Sequence, residues 1–139
     1  MYKSLTDSTR KLNVPAPATT GGAEKTDTRL GDRRNSFDWK GEAWYRVMGG
    51  AGMRIPEDPF TSVQSTGYKH CGTYCPGYLS SGSHPQTPGQ LVDNVKVCYN
   101  CNGNICNYNN NVVKIRHCGE YFVYYLTKAS TTPMRYCTE

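Results

Sequence analysis

All seven cysteines of this chain lie between Cys71 and Cys137, and the first 70 residues contain none. Cross-linking is thereby confined to the C-terminal half, where cysteine stands among Gly, Pro, Tyr and Asn with short β-like runs between. That pattern fits a small fold whose modest core is held by disulfides, and it points to an oxidising, secreted or extracellular compartment. Against this, Met1 leads into Tyr2-Lys3-Ser4-Leu5-Thr6-Asp7 with no apolar leader segment. The alternatives are a processed or partial chain, or a reducing compartment.

A length of 139 residues suits one core with an appendage. The formal charge of +5 is spread over single and paired basic residues such as Arg33-Arg34, with no continuous stripe to track phosphates. Nucleic acid is therefore not an expected partner. The longest apolar run, Tyr121 to Leu126, is far too short to span a bilayer, so no membrane insertion is expected.

Composition changes near residue 36. Residues 1–36 carry seven basic and four acidic residues with Thr, Pro, Ala and Gly between. Such a segment buries too little apolar surface to offset its chain entropy, and Pro15 to Gly22 has the composition of a linker. The expectation is an extended or disordered basic arm over 1–36, followed by a disulfide-rich module over 37–139. The arm either stays free or orders against the domain or a neighbouring subunit. With no fold of its own, its deletion should barely move the melting midpoint of a monomer.

The remainder is expected to be all-β with long irregular loops. Trp44 to Met48 is strand-like and ends at Gly49-Gly50. Asn94 to Tyr99 alternates Val95 and Val97 against Lys96 and Cys98, and Asn102-Gly103-Asn104 is a turn signal that puts Cys98 and Cys106 on the two arms of a hairpin. Asn111 to Cys118 sets Val113, Ile115 and His117 against Val112, Lys114 and Arg116. Tyr121 to Leu126 lacks polar alternation and suggests a strand covered on both faces, while Asp58 to Gln90 has loop composition.

Chemistry-bearing patterns are sparse. Cys98-x-x-Cys101 with Cys106 and either His117 or Cys118 could supply four zinc ligands, but neighbours in an extended strand point to opposite faces, so no metal is expected. Cys75, His84 and Asn94 form a thiol-protease triad only by free choice, and the three histidines, His70, His84 and His117, are expected in loops or at the surface. Asp38 and Glu42 lack glycosidase spacing, and Gly49-Gly50-Ala51-Gly52 lacks the Lys of a phosphate loop. No cofactor or enzymatic activity is expected. Ten of the eleven tyrosines lie between Tyr45 and Tyr136. Tyr121, Tyr124 and Tyr136 suit a core; Tyr68, Tyr74, Tyr78, Tyr99 and Tyr108 could form a contact surface for an extracellular protein or glycan.

The ordered series Trp44-Tyr45-Arg46, Arg54-Ile55-Pro56-Glu57, His70-Cys71-Gly72-Thr73, Pro76-Gly77-Tyr78-Leu79, Gly82-Ser83-His84-Pro85, Val97-Cys98, Gly103-Asn104-Ile105-Cys106, Cys118-Gly119 and Arg135-Tyr136-Cys137 resembles the eight-cysteine domain of uromodulin and the pancreatic zymogen-granule membrane glycoprotein. The resemblance covers about residues 37–139. It implies a secreted or cell-surface module without enzymatic activity, and it implies bridges between Cys71 and Cys137 and between Cys98 and Cys106. Two family pairs are missing together, at Asp58-Pro59 with Ile105 and near Phe37 with Thr132. Cys75 and Cys101 stand where the family usually has Ala and Trp, and their joint appearance implies a bridge peculiar to this chain. Cys118 is left without its family partner. No Asn-x-Ser/Thr acceptor is present, so a glycan-presenting decoy role is not expected.

The resulting expectation is a non-catalytic extracellular module that binds protein or glycan, or is structural, within a larger secreted or cell-surface assembly. One alternative is a filament or matrix subunit that self-assembles through its N-terminal arm. Another is a secreted inhibitor or toxin presenting a short loop around Pro76-Gly77-Tyr78.

Overall fold

A computed structural model describes residues 2–11, 38–57, 71, 73, 75–101, 104–128 and 134–139; for 100, 101, 104–111 and 134 it describes the backbone alone. The regular structure is almost entirely strand: β1 (Lys3–Leu5), β2 (Ala43–Val47), β3 (Cys75–Leu79), β4 (Leu91–Cys101), β5 (Asn104–His117), β6 (Phe122–Leu126) and β7 (Met134–Tyr136), with single 3-10 turns at Ser8–Arg10 and Gly49–Ala51. They form one sheet in the order β1-β2-β6-β5-β4-β3-β7. β4 and β5 make the long central hairpin, while β1 joins β2 and β7 joins β3 in parallel.

The two edges are not independent. The chain leaving β1 reaches the segment after β7, where Lys11 bridges Thr138 and the Thr138 N–H donates to the Arg10 carbonyl at 3.0 Å. The sheet therefore curls, and its inner surface encloses the core.

Period-two alternation decides what enters that core. Val95, Val97 and Tyr99 of β4 and Val113 and Ile115 of β5 are buried, whereas Lys96, Val112, Lys114 and Arg116 face out. In β6, Tyr124 and Leu126 are fully buried on the inner face and Val123 is buried on the other, where Tyr125 is only half-buried, so the strand is covered on both faces at Val123 and opens toward solvent at Tyr125. Trp39 stacks on Tyr45 with centroids 5.3 Å apart, and the Tyr45 hydroxyl closes the turn before β2 by donating to the Gly41 carbonyl at 2.7 Å. A bulge between Val92 and Val95 places Asn94 at φ 56°, which Asn tolerates better than most residues.

Residues 2–11 take the second of the two courses open to the arm and order against the domain. β1 supplies Leu5 to the core at 0 % exposure, and Arg10, also 0 % exposed, is bound through Nε and Nη2 by the Asp38 carboxylate. Arg10 Nη1 donates to the Tyr136 carbonyl at 3.1 Å. Asp7 is ion-paired with Arg135, whose Nη1 also reaches Thr9 Oγ1 and the Cys71 carbonyl. Asp7 and Arg10 are thus buried, with Leu5, in an otherwise exposed, polar segment, because their charges find complements far along the chain. The rest of the expected arm, residues 1 and 12–36, lies outside the described residues.

Pro76-Gly77-Tyr78 is also not a presented loop. It is the buried centre of β3, and a Cβ on Gly77 would come 2.5 Å from Tyr99 Cε1, so only glycine admits the ring there.

Cys71 and Cys137 are bonded, closing a separation of 66 residues. Chain-entropy arithmetic assigns a loop of that length about 4 kcal/mol, the largest single covalent contribution available here. Cys75 and Cys98 are likewise disulfide-bonded, and Cys118 is a half-buried free thiol. The side chains of Cys101 and Cys106 lie outside the described residues.

Candidate functional site

The surface opposite the core is built by the other half of the strand alternation. In β2, Tyr45 and Val47 point inward, which turns Trp44 and Arg46 outward. Register then sets Trp44 beside Tyr125 of β6, and Tyr125 beside Lys114 of β5. The Trp44 and Tyr125 rings meet edge to face at 5.6 Å, and Lys114 Nζ stands 5.8 Å above the Tyr125 centroid. Asp93, at 4.0 Å from Lys114, is the acidic neighbour. At the β1 end, the Arg46 guanidinium lies 3.8 Å above the Tyr121 ring and donates to the Tyr2 hydroxyl at 3.2 Å. Four half-exposed or exposed aromatic rings thus alternate with cations on one face of a rigid sheet.

The charges tune this face. Hydrogen bonding to Arg46 and then to Tyr121 lowers the Tyr2 phenol from its ordinary value, and the same Tyr2 to Tyr121 bond raises Tyr121. The guanidinium is accordingly the electrostatic centre of the Tyr2, Tyr121 pair.

A second cluster is internal. His84 lies in a loop, as one of its two expected settings had it, yet is 5 % exposed, because the loop after β3 folds it onto the sheet. Its Nδ1 meets Glu57 Oε2 and its Nε2 lies 2.7 Å from the Tyr124 hydroxyl, which accepts from the Ile55 N–H at 3.2 Å. Burial lowers the His84 pKa more than Glu57 raises it; Glu57 is held below its usual range because its bonds to His84 and Gly82 outweigh its desolvation. Burial also raises the Tyr124 phenol. A carboxylate, an imidazole and a phenol in line could relay a proton, but both ring nitrogens are occupied and Tyr124 is fully buried. The cluster therefore pins the loop that carries Gly82 and His84 to the segment before β3.

The expected tyrosine surface is only partly addressed by the structure. Tyr78 and Tyr99 are 1 % and 0 % exposed and belong to the interior. Tyr68, Tyr74 and the side chain of Tyr108 lie outside the described residues. His117 is half-buried, its Nδ1 accepting from the Gly119 N–H at 3.0 Å; His70 is outside the described residues. Asp38 serves Arg10, and Glu42 accepts from the Lys128 N–H at 3.1 Å, so these two carboxylates are structural. Among the described residues no cluster of three or more His, Cys, Asp or Glu is placed to hold a metal ion. Cys98, a zinc candidate by spacing, is in a disulfide rather than a thiolate. The outward Trp44 and Arg46 were detectable from alternation in β2, whereas Tyr125 lies in a strand without polar alternation. The amphipathic character of Tyr concealed it, since it reads equally well as core.

The family of uromodulin-like domains matches residues 45–138. The pancreatic secretory granule membrane major glycoprotein GP2 of Rattus norvegicus is 34 % identical over 134 residues, covering 92 % of this chain and 22 % of that protein. The proteins of the same name from Canis lupus familiaris and Homo sapiens are 37 % and 35 % identical over 97 and 96 residues, covering 69 % and 68 % of this chain and 17 % and 16 % of theirs. The chain spans about a fifth of the length of these relatives. The 92 % coverage in the rat protein exceeds what residues 37–139 could supply, so the likeness runs into the first 36 residues. Among the described residues, no helix is long and apolar enough to cross a membrane.

Proposed function

Because the chain belongs to the uromodulin-like domain family, we propose that it is a non-catalytic extracellular module that binds a protein or a glycan within a larger secreted or cell-surface glycoprotein. The observation that carries the reading is the outward Trp44, Tyr125, Lys114 and Arg46 face, where aromatic rings and cations stand on strands fixed by a seven-stranded sheet. Half-exposed aromatic and Arg side chains on a rigid support supply contact area with little entropy left to lose. The self-assembling filament has less support, since an arm whose Leu5 and Arg10 are buried in its own domain is not free to enter another.

We also propose that Cys75 pairs with Cys101 and Cys98 with Cys106. The β3–β4 register runs Gly77 to Tyr99 and Tyr78 to Cys98, and its continuation sets Cys75 opposite Cys101. Directly opposed residues on antiparallel strands lie about 4.5–5.5 Å apart at Cα, within disulfide reach.

An array of extracellular glycans and purified glycoproteins tests the binding reading. The folded chain is expected to give saturable binding that Trp44→Ala with Tyr125→Ala weakens about tenfold or more while a cooperative unfolding transition is retained. Absence of any saturable ligand, or turnover of one, contradicts it.

A further inference from the structure

Arg46 is treated differently from the two fully buried arginines of this protein. Arg10 and Arg135 are each ion-paired with an aspartate. Arg46 has no carboxylate within ion-pair distance among the described residues; Tyr2 takes one of its donors, and Nε is buried with no hydrogen-bond acceptor. Nε, closed off from solvent, is out of a ligand's reach, but Nη2 makes no hydrogen bond to the described residues, and the natural complement of an open guanidinium donor is a planar oxyanion. The guanidinium is also held in place, stacked on Tyr121 from a strand position fixed between β1 and β6.

Space for such a group adjoins it. A cavity of about 270 Å³ is lined by Arg46 with Met48, Gly49, Met53 and Tyr121. Met53 and Tyr121 are shared with a neighbouring cavity of about 540 Å³ that reaches Phe122 and Lys11. Arg54 in that second cavity is already paired with Glu139 at 3.1 Å, so the first offers one unneutralised cation and suits a monoanion better than a phosphate dianion.

We infer that the Arg46 cavity is a carboxylate-binding site, with the guanidinium as the ligating group and the rest of the ligand lying along Met53 and Tyr121. It names a site within the binding module proposed above and rests on that reading. Two sources share this chemistry, an acidic sugar and an acidic peptide side chain.

Titration of the isotope-labelled chain with methyl α-N-acetylneuraminide and with N-acetyl-glutamyl amide, each beside its neutral methyl ester and beside sulfate, tests the site. The expected result is saturable shift changes at Tyr2, Arg46, Met53 and Tyr121 with at least one acid and not its ester; the stronger acid identifies the source. Arg46→Gln should weaken binding about tenfold or more, and Arg46→Lys, which keeps charge without the fork, less so. Should Arg46→Gln fail to fold, Tyr2→Phe removes the hydroxyl that steadies the guanidinium and should weaken binding about threefold. Bound carboxylate should also return the Tyr2 phenol toward its ordinary value, since Arg46 is then neutralised. Esters or sulfate binding as well as the acids, no saturation with either acid, or affinity unchanged in Arg46→Gln overturns the site. If array binding through Trp44 survives while both acids fail, this site falls and the wider reading stands.

Discussion

Deletion of residues 2–11 is expected to lower the thermal midpoint by about 20 °C or more, or to abolish the cooperative transition. The loss has three sources. β2 loses its parallel neighbour, the core loses Leu5, and Asp38 and Arg135 are left buried without Arg10 and Asp7. Removing one partner of a buried ion pair alone costs about 3–5 kcal/mol, against a total stability of roughly 5–15 kcal/mol for a domain. At about 4 °C per kcal/mol for a chain of this size, even a ~5 kcal/mol loss moves the midpoint by that margin. Differential scanning calorimetry of dilute monomer checks it, and a shift under about 3 °C shows that the segment is dispensable.

Asp38→Ala is expected to cost about 3–5 kcal/mol by itself, because this carboxylate takes two donors from Arg10 and the backbone N–H groups of Thr6 and Asp7, both at 3.0 Å from Oδ2. Desolvation raises its pKa, but the Arg10 hydrogen bonds and charge outweigh that and hold it below the usual carboxylate range. Asp7 is lowered in the same way, its desolvation outweighed by Thr9 and Arg135. A carboxyl whose folded pKa lies below its unfolded value stabilises fully above the unfolded pKa, about 4, and loses that contribution as pH falls through the folded one. His84, lowered by burial, acts with the same sign but from a higher start, as pH falls below about 6.5. Urea unfolding across pH should therefore show the wild type weakening in two stages. The difference between wild type and Asp38→Ala should be constant near neutrality and shrink only below pH ~4. An identical acid slope in both proteins contradicts the assignment of the low-pH stage to Asp38.

These two effects explain why the N-terminal segment was illegible in the sequence. Asp7 and Arg10 look like solvated charges, and their partners Arg135 and Asp38 lie 128 and 28 positions away, so no local pattern announces the burial. Strands β4 and β5 were legible because Val95, Val97, Val113 and Ile115 recur at period two beside outward Lys96, Lys114 and Arg116. Pro76-Gly77-Tyr78 misled because Gly and Pro are also turn residues, whereas Gly77 is there to admit the Tyr99 ring. The candidate face was half visible: Trp44 and Arg46 stood in a recognisable strand. Choosing which tyrosines face outward needed the register that pairs Trp44 with Tyr125 and buries Tyr78 and Tyr99.

The central claim, a curled sheet stapled by disulfides, is tested most directly by peptide mapping of the folded chain under non-reducing conditions. The predicted result is a Cys71 to Cys137 bridge, Cys75 to Cys101, Cys98 to Cys106, and one thiol at Cys118 that alkylates without reduction. Free thiols at Cys71 and Cys137, or one equivalent of zinc released from Cys98, Cys101 and Cys106, would contradict both the fold's covalent frame and the extracellular reading.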